Sequence, residues 1–196
     1  MSVLPNKNPG VMHPLAQFRY CPKCGGTDFR IINEKARRCE ACDFTYYFNP
    51  SAAVACLVTD KMRNVLISVR GKEPAINTYD LPGGFIDLNE TAEEGMAREL
   101  LEETGIHYSR GINEGIASPL KYLFSLPNIY PYSGFEVHTL DMFFHLEVET
   151  VMPYVGEGQD DVAELVAVPM SQLHPEDFGL ESIRHAVEMI LAGHYF

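Results

Sequence analysis

The chain of 196 residues contains no tryptophan. No recognition motif centred on an indole can therefore be complete in it. Long apolar runs are also missing, and none approaches the ~20 residues of a membrane-spanning helix. A membrane protein of the helical kind is excluded on that ground. Basic residues are scarce: 15 Lys and Arg stand against 27 Asp and Glu, for a formal charge of −12. Such a chain repels a phosphate backbone, which disfavours general nucleic-acid binding. The first twenty residues hold no apolar core of the signal-peptide type, so a cytoplasmic location is expected. No internal repeat or low-complexity tract is apparent. The length suffices for one good core and a small module beside it.

Cysteine is sparse too, but it is not scattered. Cys21 and Cys24 form one Cys-x-x-Cys pair, and Cys39 and Cys42 form a second. Four thiolates at this spacing suit a tetrahedral structural Zn²⁺ site. Two disulfides would instead need an oxidising compartment. The segments at 29–32 and 36–38 are expected to pair as a short hairpin between the two halves. A zinc ribbon of this size has too little core to fold without its metal. Lys23, Arg30, Lys35, Arg37 and Arg38 make it locally basic, yet no extended basic and aromatic surface accompanies them. A structural role is therefore expected, supporting a homodimer or lining a substrate cleft. Cys56 lies in an apolar run at 52–58 and is expected to be a buried strand residue.

Residues 91–104 contain no proline and are rich in good helix formers. Thr91 and Glu94 have the form of a capping box, and Gly105 is a natural stop. On that helix Glu99, Glu102 and Glu103 stand at i, i+3 and i+4, so three carboxylates share a face. Ala97, Leu100, Leu101 and Thr104 are expected to turn toward a core. A charge run is usually only a solvated face. Here Gly83 and Gly84 sit just ahead of it. Clustered carboxylates suit Mg²⁺ or Mn²⁺, which keep waters and bridge substrate phosphates. Such ions would also remove the repulsion among the acids.

Along the chain, residues 1–17 are expected to be a flexible segment, 18–48 the ribbon, and 49–196 the main domain. Strands are predicted at 52–59, 65–70, 121–125, 139–149 and 163–168. A loop is predicted at 151–160. A final helix is predicted at 181–192, with Ile183, Ala186, Val187, Ile190 and Leu191 as its apolar stripe.

Written as a pattern, Gly84, Glu90, Arg98-Glu99-Leu100, Glu102-Glu103 and Gly105-Ile106 fall at the spacing of the Nudix hydrolase signature, with no position missing. A chance match has a likelihood of roughly 10⁻⁹ per starting point. The chain resembles that family, and the resemblance implies an α/β/α sandwich with a mixed sheet. It implies that Glu99 and Glu103 are metal ligands, with Glu102 a ligand or base nearby. It implies the carbonyl of Gly83 as a further ligand, and Arg98, paired to Glu90, as the group that holds Glu99. One more carboxylate is expected from the segment at 157–164. Glu164 matches best, with Glu157, Asp160 and Asp161 as alternatives.

Residues 125–133 resemble the Ser-Gln-Pro-Trp-Pro-Phe-Pro-x-Ser stretch of NADH pyrophosphatases. Ser125, Pro127, Pro131 and Ser133 coincide, and Tyr130 replaces an aromatic. Leu126, Asn128 and Ile129 depart from it. Tyr130 and Tyr132 are the candidates for holding a base. A zinc ribbon before such a domain is an arrangement of that subfamily, although the chain is expected to lack its additional N-terminal domain. The resemblance thus implies a small nucleotide substrate, NAD(H) first and ADP-ribose second. The alternative is a non-catalytic sensor that holds a nucleotide and regulates a partner.

Overall fold

The computed structural model describes residues 13–109 and 115–193. The chain divides into two compact units, Met1–Pro50 and Ser51–Phe196. In the first, β1 (Phe29–Asn33), β2 (Ala36–Cys39) and β3 (Thr45–Tyr47) form an antiparallel three-stranded sheet. The expected hairpin is present, and a third strand extends it. Phe29 and Ala36 are buried there with Cys21 and Cys39. Within the expected flexible segment, Leu15 is fully buried, and His13 Nε2 bonds the carbonyl of Asn33 at 2.8 Å. Residues 1–12 of the expected flexible segment lie outside the described residues.

The second unit is built on one mixed sheet. Its strands are β4 (Ser51–Asp60), β5 (Asn64–Arg70), β6 (Tyr79–Asp80) and β7 (Gly83–Phe85), followed after the first helix by β8 (Lys121–Tyr132), β9 (Phe135–Val148), β10 (Gly156–Glu157) and β11 (Val162–Pro169). The main path runs β10-β11-β5-β4-β9-β8, with β6 on β5 and β7 on β4. Strand β4 pairs in parallel with β9, and every other ladder is antiparallel.

Strand β4 is buried on both faces, and its alternation divides the core. Val54, Cys56 and Val58 pack with Met96 and Leu100 of helix α1 (Ala92–Thr104). Ala55 and Leu57 pack with Ile183, Ala186, Val187 and Ile190 of helix α2 (Glu181–Leu191). Phe143 and Phe144 on β9 likewise serve opposite layers. Burying such side chains contributes about 1.5–3 kcal/mol each, which holds a helix against each face of the sheet. The architecture is an α/β/α sandwich. Cys56 is fully buried, and burial pushes its thiol pKa up.

Two apolar expectations need correction. Leu101 and Leu191 are exposed, at 47% and 39%. Each lies at the margin of its helix's buried stripe, where the 3.6-residue period turns the side chain outward. The segment at 125–133 continues β8 to Tyr132 instead of ending it, and β10 interrupts the loop predicted at 151–160.

Candidate active site

Helix α1 starts where its local sequence says. The Thr91 side chain accepts from the N–H of Glu94, the Glu94 carboxylate accepts from the N–H of Thr91, and Gly105 closes the helix at φ 72°. This pins the phase of the helix, and with it Glu99 and Glu103. Both are turned inward, 9% and 8% exposed. Strand β7 runs close by. The N–H of Gly83 donates to Glu103 Oε2 at 2.8 Å. A Cβ on Gly84 would lie 2.6 Å from Glu99 Oε1, so only glycine lets the strand come this near the carboxylate.

Arg98 organises the acids. Its Nε and Nη2 donate to the two oxygens of Glu90 at 2.9 and 3.1 Å. Its Nη1 donates to Glu99 Oε1 at 2.8 Å and Glu102 Oε2 at 3.0 Å, and Nη2 also reaches the carbonyl of Phe85 at 2.9 Å. A planar fork used this fully has little freedom to move. Glu102, by contrast, is half exposed at its side chain and does not line the cleft beside Glu99 and Glu103.

The cleft has a volume of about 570 Å³. Gly83, Gly84, Glu99, Glu103, Asp160 and Asp161 line it, as do Tyr130 and Tyr132. Glu164, the best match for a fourth acid, is not among the lining residues, while its alternatives Asp160 and Asp161 are. Val162 and Leu165 are both buried, and the pairing with β5 slips between Val162 and Glu164. The bulge leaves both Ala163 and Glu164 exposed. Glu157 is exposed opposite it on β10.

Burial and crowding shape the charges. Burial pushes Glu103 up to about 8 against the opposing Gly83 N–H, with Glu99, Asp80 and Asp160 adding to the rise. Burial also raises Glu99, and Arg98 opposes that rise. Glu90 is lowered, chiefly by its bond to Arg98. A divalent cation between the inward carboxylates would reverse both rises. The donor set therefore fits hard cations. Oxygen donors of this kind suit ions that keep waters and share substrate oxygens.

Three further cleft residues were not singled out from sequence. Arg70 donates to Asp80 Oδ2 at 2.6 Å and to the carbonyl of Pro74 at 2.7 Å, and it lies 3.4 Å from the Tyr130 hydroxyl. Phe85 meets Tyr130 edge to face at 5.9 Å, and Tyr130 stacks on Tyr132 at 6.5 Å. Arg70 and Asp80 come together through the pairing of β5 with β6, which places Ser68 opposite Asp80, and no local pattern in the sequence announces that pairing.

In the first unit, Cys21, Cys24, Cys39 and Cys42 bring their sulfurs within 4.8 Å of one another, and no disulfide links them. Cys21 and Cys42 Sγ are 3.8 Å apart, and Cys24 and Cys39 Sγ are 3.6 Å apart. A tetrahedron with bonds of ~2.3 Å sets its sulfurs roughly 3.8 Å apart, so the quartet fits an ion of zinc's size.

With this fold and site in view, comparison with known proteins defines the class. The NUDIX domain family model matches residues 49–187, and the chain belongs to the Nudix family. It is similar to the NAD-capped RNA hydrolase NudC of Vibrio parahaemolyticus, 30% identical over 121 residues, 62% of this chain and 42% of that protein. The NudC of Stutzerimonas stutzeri is 26% identical over 184 residues, 91% of this chain and 58% of that protein. The chain thus spans about half the length of these relatives. Among solved structures, a NUDIX hydrolase from Nitrosomonas europaea gives a TM-score of 0.62 at 21% identity, covering 89% of this chain and 90% of that one. The NUDIX domain of Shewanella oneidensis NrtR, complexed with ADP ribose, gives 0.52 at 17% identity, covering 74% and 88%. At these identities the structural likeness is one of fold.

Proposed function

We propose that this protein is a metal-dependent pyrophosphohydrolase acting on a nucleoside diphosphate linked to another moiety. NAD(H) is the favoured substrate and ADP-ribose is next. The observation that carries this reading is that one cleft is lined both by the inward carboxylates Glu99 and Glu103 and by the rings of Tyr130 and Tyr132. Acids and ring faces in one cavity match a phosphate chain attached to a base. The names of the NudC relatives, which refer to NAD-capped RNA, support an NAD-type diphosphate. The charge of −12 argues that a small nucleotide, not an RNA body, is what this chain recognises.

In this reading Glu99 and Glu103 hold Mg²⁺ or Mn²⁺ with the carbonyl of Gly83 and a carboxylate from Asp160 or Asp161. The ions, when bound, lower the pKa of a water and neutralise charge growing on the phosphate oxygens. Arg98 anchored on Glu90 keeps Glu99 aimed at the ions. Glu102, tied to Arg98 at the outer side, serves as base or ligand when that bond yields. Tyr130 and Tyr132 offer their faces to a base. The cysteine quartet holds a structural Zn²⁺.

The test is release of inorganic phosphate from NADH or ADP-ribose by the protein with a phosphatase present, in Mg²⁺ and then Mn²⁺. The intact diphosphates resist the phosphatase, so phosphate appears only after cleavage. Steady release supports the enzyme. Bound nucleotide with no release would instead make the protein a sensor.

A further inference from the structure

Among the described residues, most buried hydroxyls and carboxylates have partners. Thr59 Oγ1 lies 2.8 Å from His145 Nε2, Ser182 donates to Asp141 Oδ2 at 2.5 Å, and Thr104 donates to the Leu100 carbonyl. Asp60 accepts from Met62, Asn64 and Val151. Among the described residues, only two buried side-chain polar atoms lack a partner: Arg37 Nε in the ribbon unit and Thr139 Oγ1 on β9. Thr139 is 3% exposed and lines the cleft. An orphaned buried hydroxyl is a standing cost. Valine has the same shape without it, so the fold gives no reason for threonine here.

The surroundings say what the hydroxyl is for. On β9, Val137, Thr139 and Asp141 alternate onto one face, and all three line the cleft. Across the ladder Asn128 stands opposite Thr139, and Tyr130 stands opposite Val137. Asn128 and Tyr130 line the cleft as well. A polar pair therefore sits one step along the strands from an aromatic face. A ring resting on Tyr130 would present its edge to Thr139 and Asn128. A hydroxyl both donates and accepts, and an amide offers each at a separate atom. Rotation between staggered χ1 wells would let the hydroxyl re-aim when a ligand arrives.

We infer that Thr139, with Asn128 opposite, reads the hydrogen-bonding edge of a planar heteroaromatic ring held against Tyr130, and so sets base specificity in the cleft. The inference rests on the proposed reading that the cleft takes a nucleotide. A site built to bond a ring edge rejects analogues that lack it, because its own buried polar groups are then left unpaired.

The experiment is calorimetric binding of AMP, nicotinamide mononucleotide and ribose 5-phosphate to the full chain, as wild type, Thr139→Val and Thr139→Ser. The valine variant should bind AMP, nicotinamide mononucleotide or both about tenfold more weakly, the scale of one buried hydrogen bond. Ribose 5-phosphate should bind as before, and the serine variant should stay within about threefold of wild type. The valine variant should unfold at the same temperature or higher, since it removes an orphaned group. A loss with one mononucleotide alone names adenine or nicotinamide as the ring. Unchanged binding of both mononucleotides by the valine variant would overturn the assignment of Thr139 alone. So would an equal loss for ribose 5-phosphate. Failure of the wild type to bind either mononucleotide would overturn both the assignment and the nucleotide reading beneath it.

Discussion

Glu103 carries two opposed demands. It is buried beside Glu99 and Asp80, yet the proposed chemistry needs its charge. Glu103→Gln keeps the volume and removes the charge, so it should lower kcat by roughly 10²-fold or more with the fold intact. Wild-type turnover by this variant at saturating Mg²⁺ would show that the metal is held elsewhere. The same burial predicts a pH effect on stability. The carboxyl rises from 4.5 to about 8 in the folded protein, so between those values the folded state binds a proton that the unfolded chain has lost. Stability from this group therefore falls as pH rises through that window. In Mg²⁺-free buffer, Tm should decline from pH 5 toward pH 8, and Glu103→Gln should flatten the decline by a few °C, about the shift that ~1 kcal/mol produces. Adding Mg²⁺ should flatten it in the wild type. An identical decline in the variant would contradict the assignment.

The elements differ in how far they could be read from the sequence. Helix α1 was legible to its caps because Thr91, Glu94 and Gly105 act locally. The paired cysteines and the strands at β4, β5 and β11 were legible for the same kind of reason. Strand β8 was read short because Pro127 and Pro131 look like breakers. It lies at the edge of the sheet, where a missing N–H is tolerated. The Arg70–Asp80 pair and the bulge that turns Glu164 outward depend on β5 meeting β6 and β11, and no local pattern announces either meeting. Strand β7 carries its own test. Gly84→Ala places a methyl against the Glu99 carboxylate, so kcat should fall about tenfold or more, the scale expected when a reacting geometry is displaced by ~1 Å, while far-ultraviolet circular dichroism is unchanged. Full activity would show that β7 can retreat. For the ribbon, elemental analysis should find about one zinc per chain, lost in a Cys39→Ser, Cys42→Ser variant. Metal-free protein with disulfides at Cys21–Cys24 or Cys39–Cys42 by mass spectrometry would refute the zinc site.

At the scale of the molecule, the proposed function asks an acidic chain to bind an anionic substrate. The inward acids raise local negative potential, and the two arginines lining the cleft are already engaged with Asp80 and with Glu90, Glu99 and Glu102. In the proposed reading cations mediate the encounter, and the motif alone carries that part of the reading. The residues proposed to read the attached group were less legible, because those of β8 and β9 meet only across a ladder. The most direct test of the central claim is kcat/KM for NADH, NAD, ADP-ribose and a nucleoside triphosphate, with Mg²⁺ and with Mn²⁺, for wild type and Glu103→Gln together. The account predicts cleavage of the dinucleotide diphosphates in preference to the triphosphate, NADH foremost, dependent on the added ion and lost in the variant. Turnover of none of them, or turnover that survives both removal of the ion and Glu103→Gln, would contradict it.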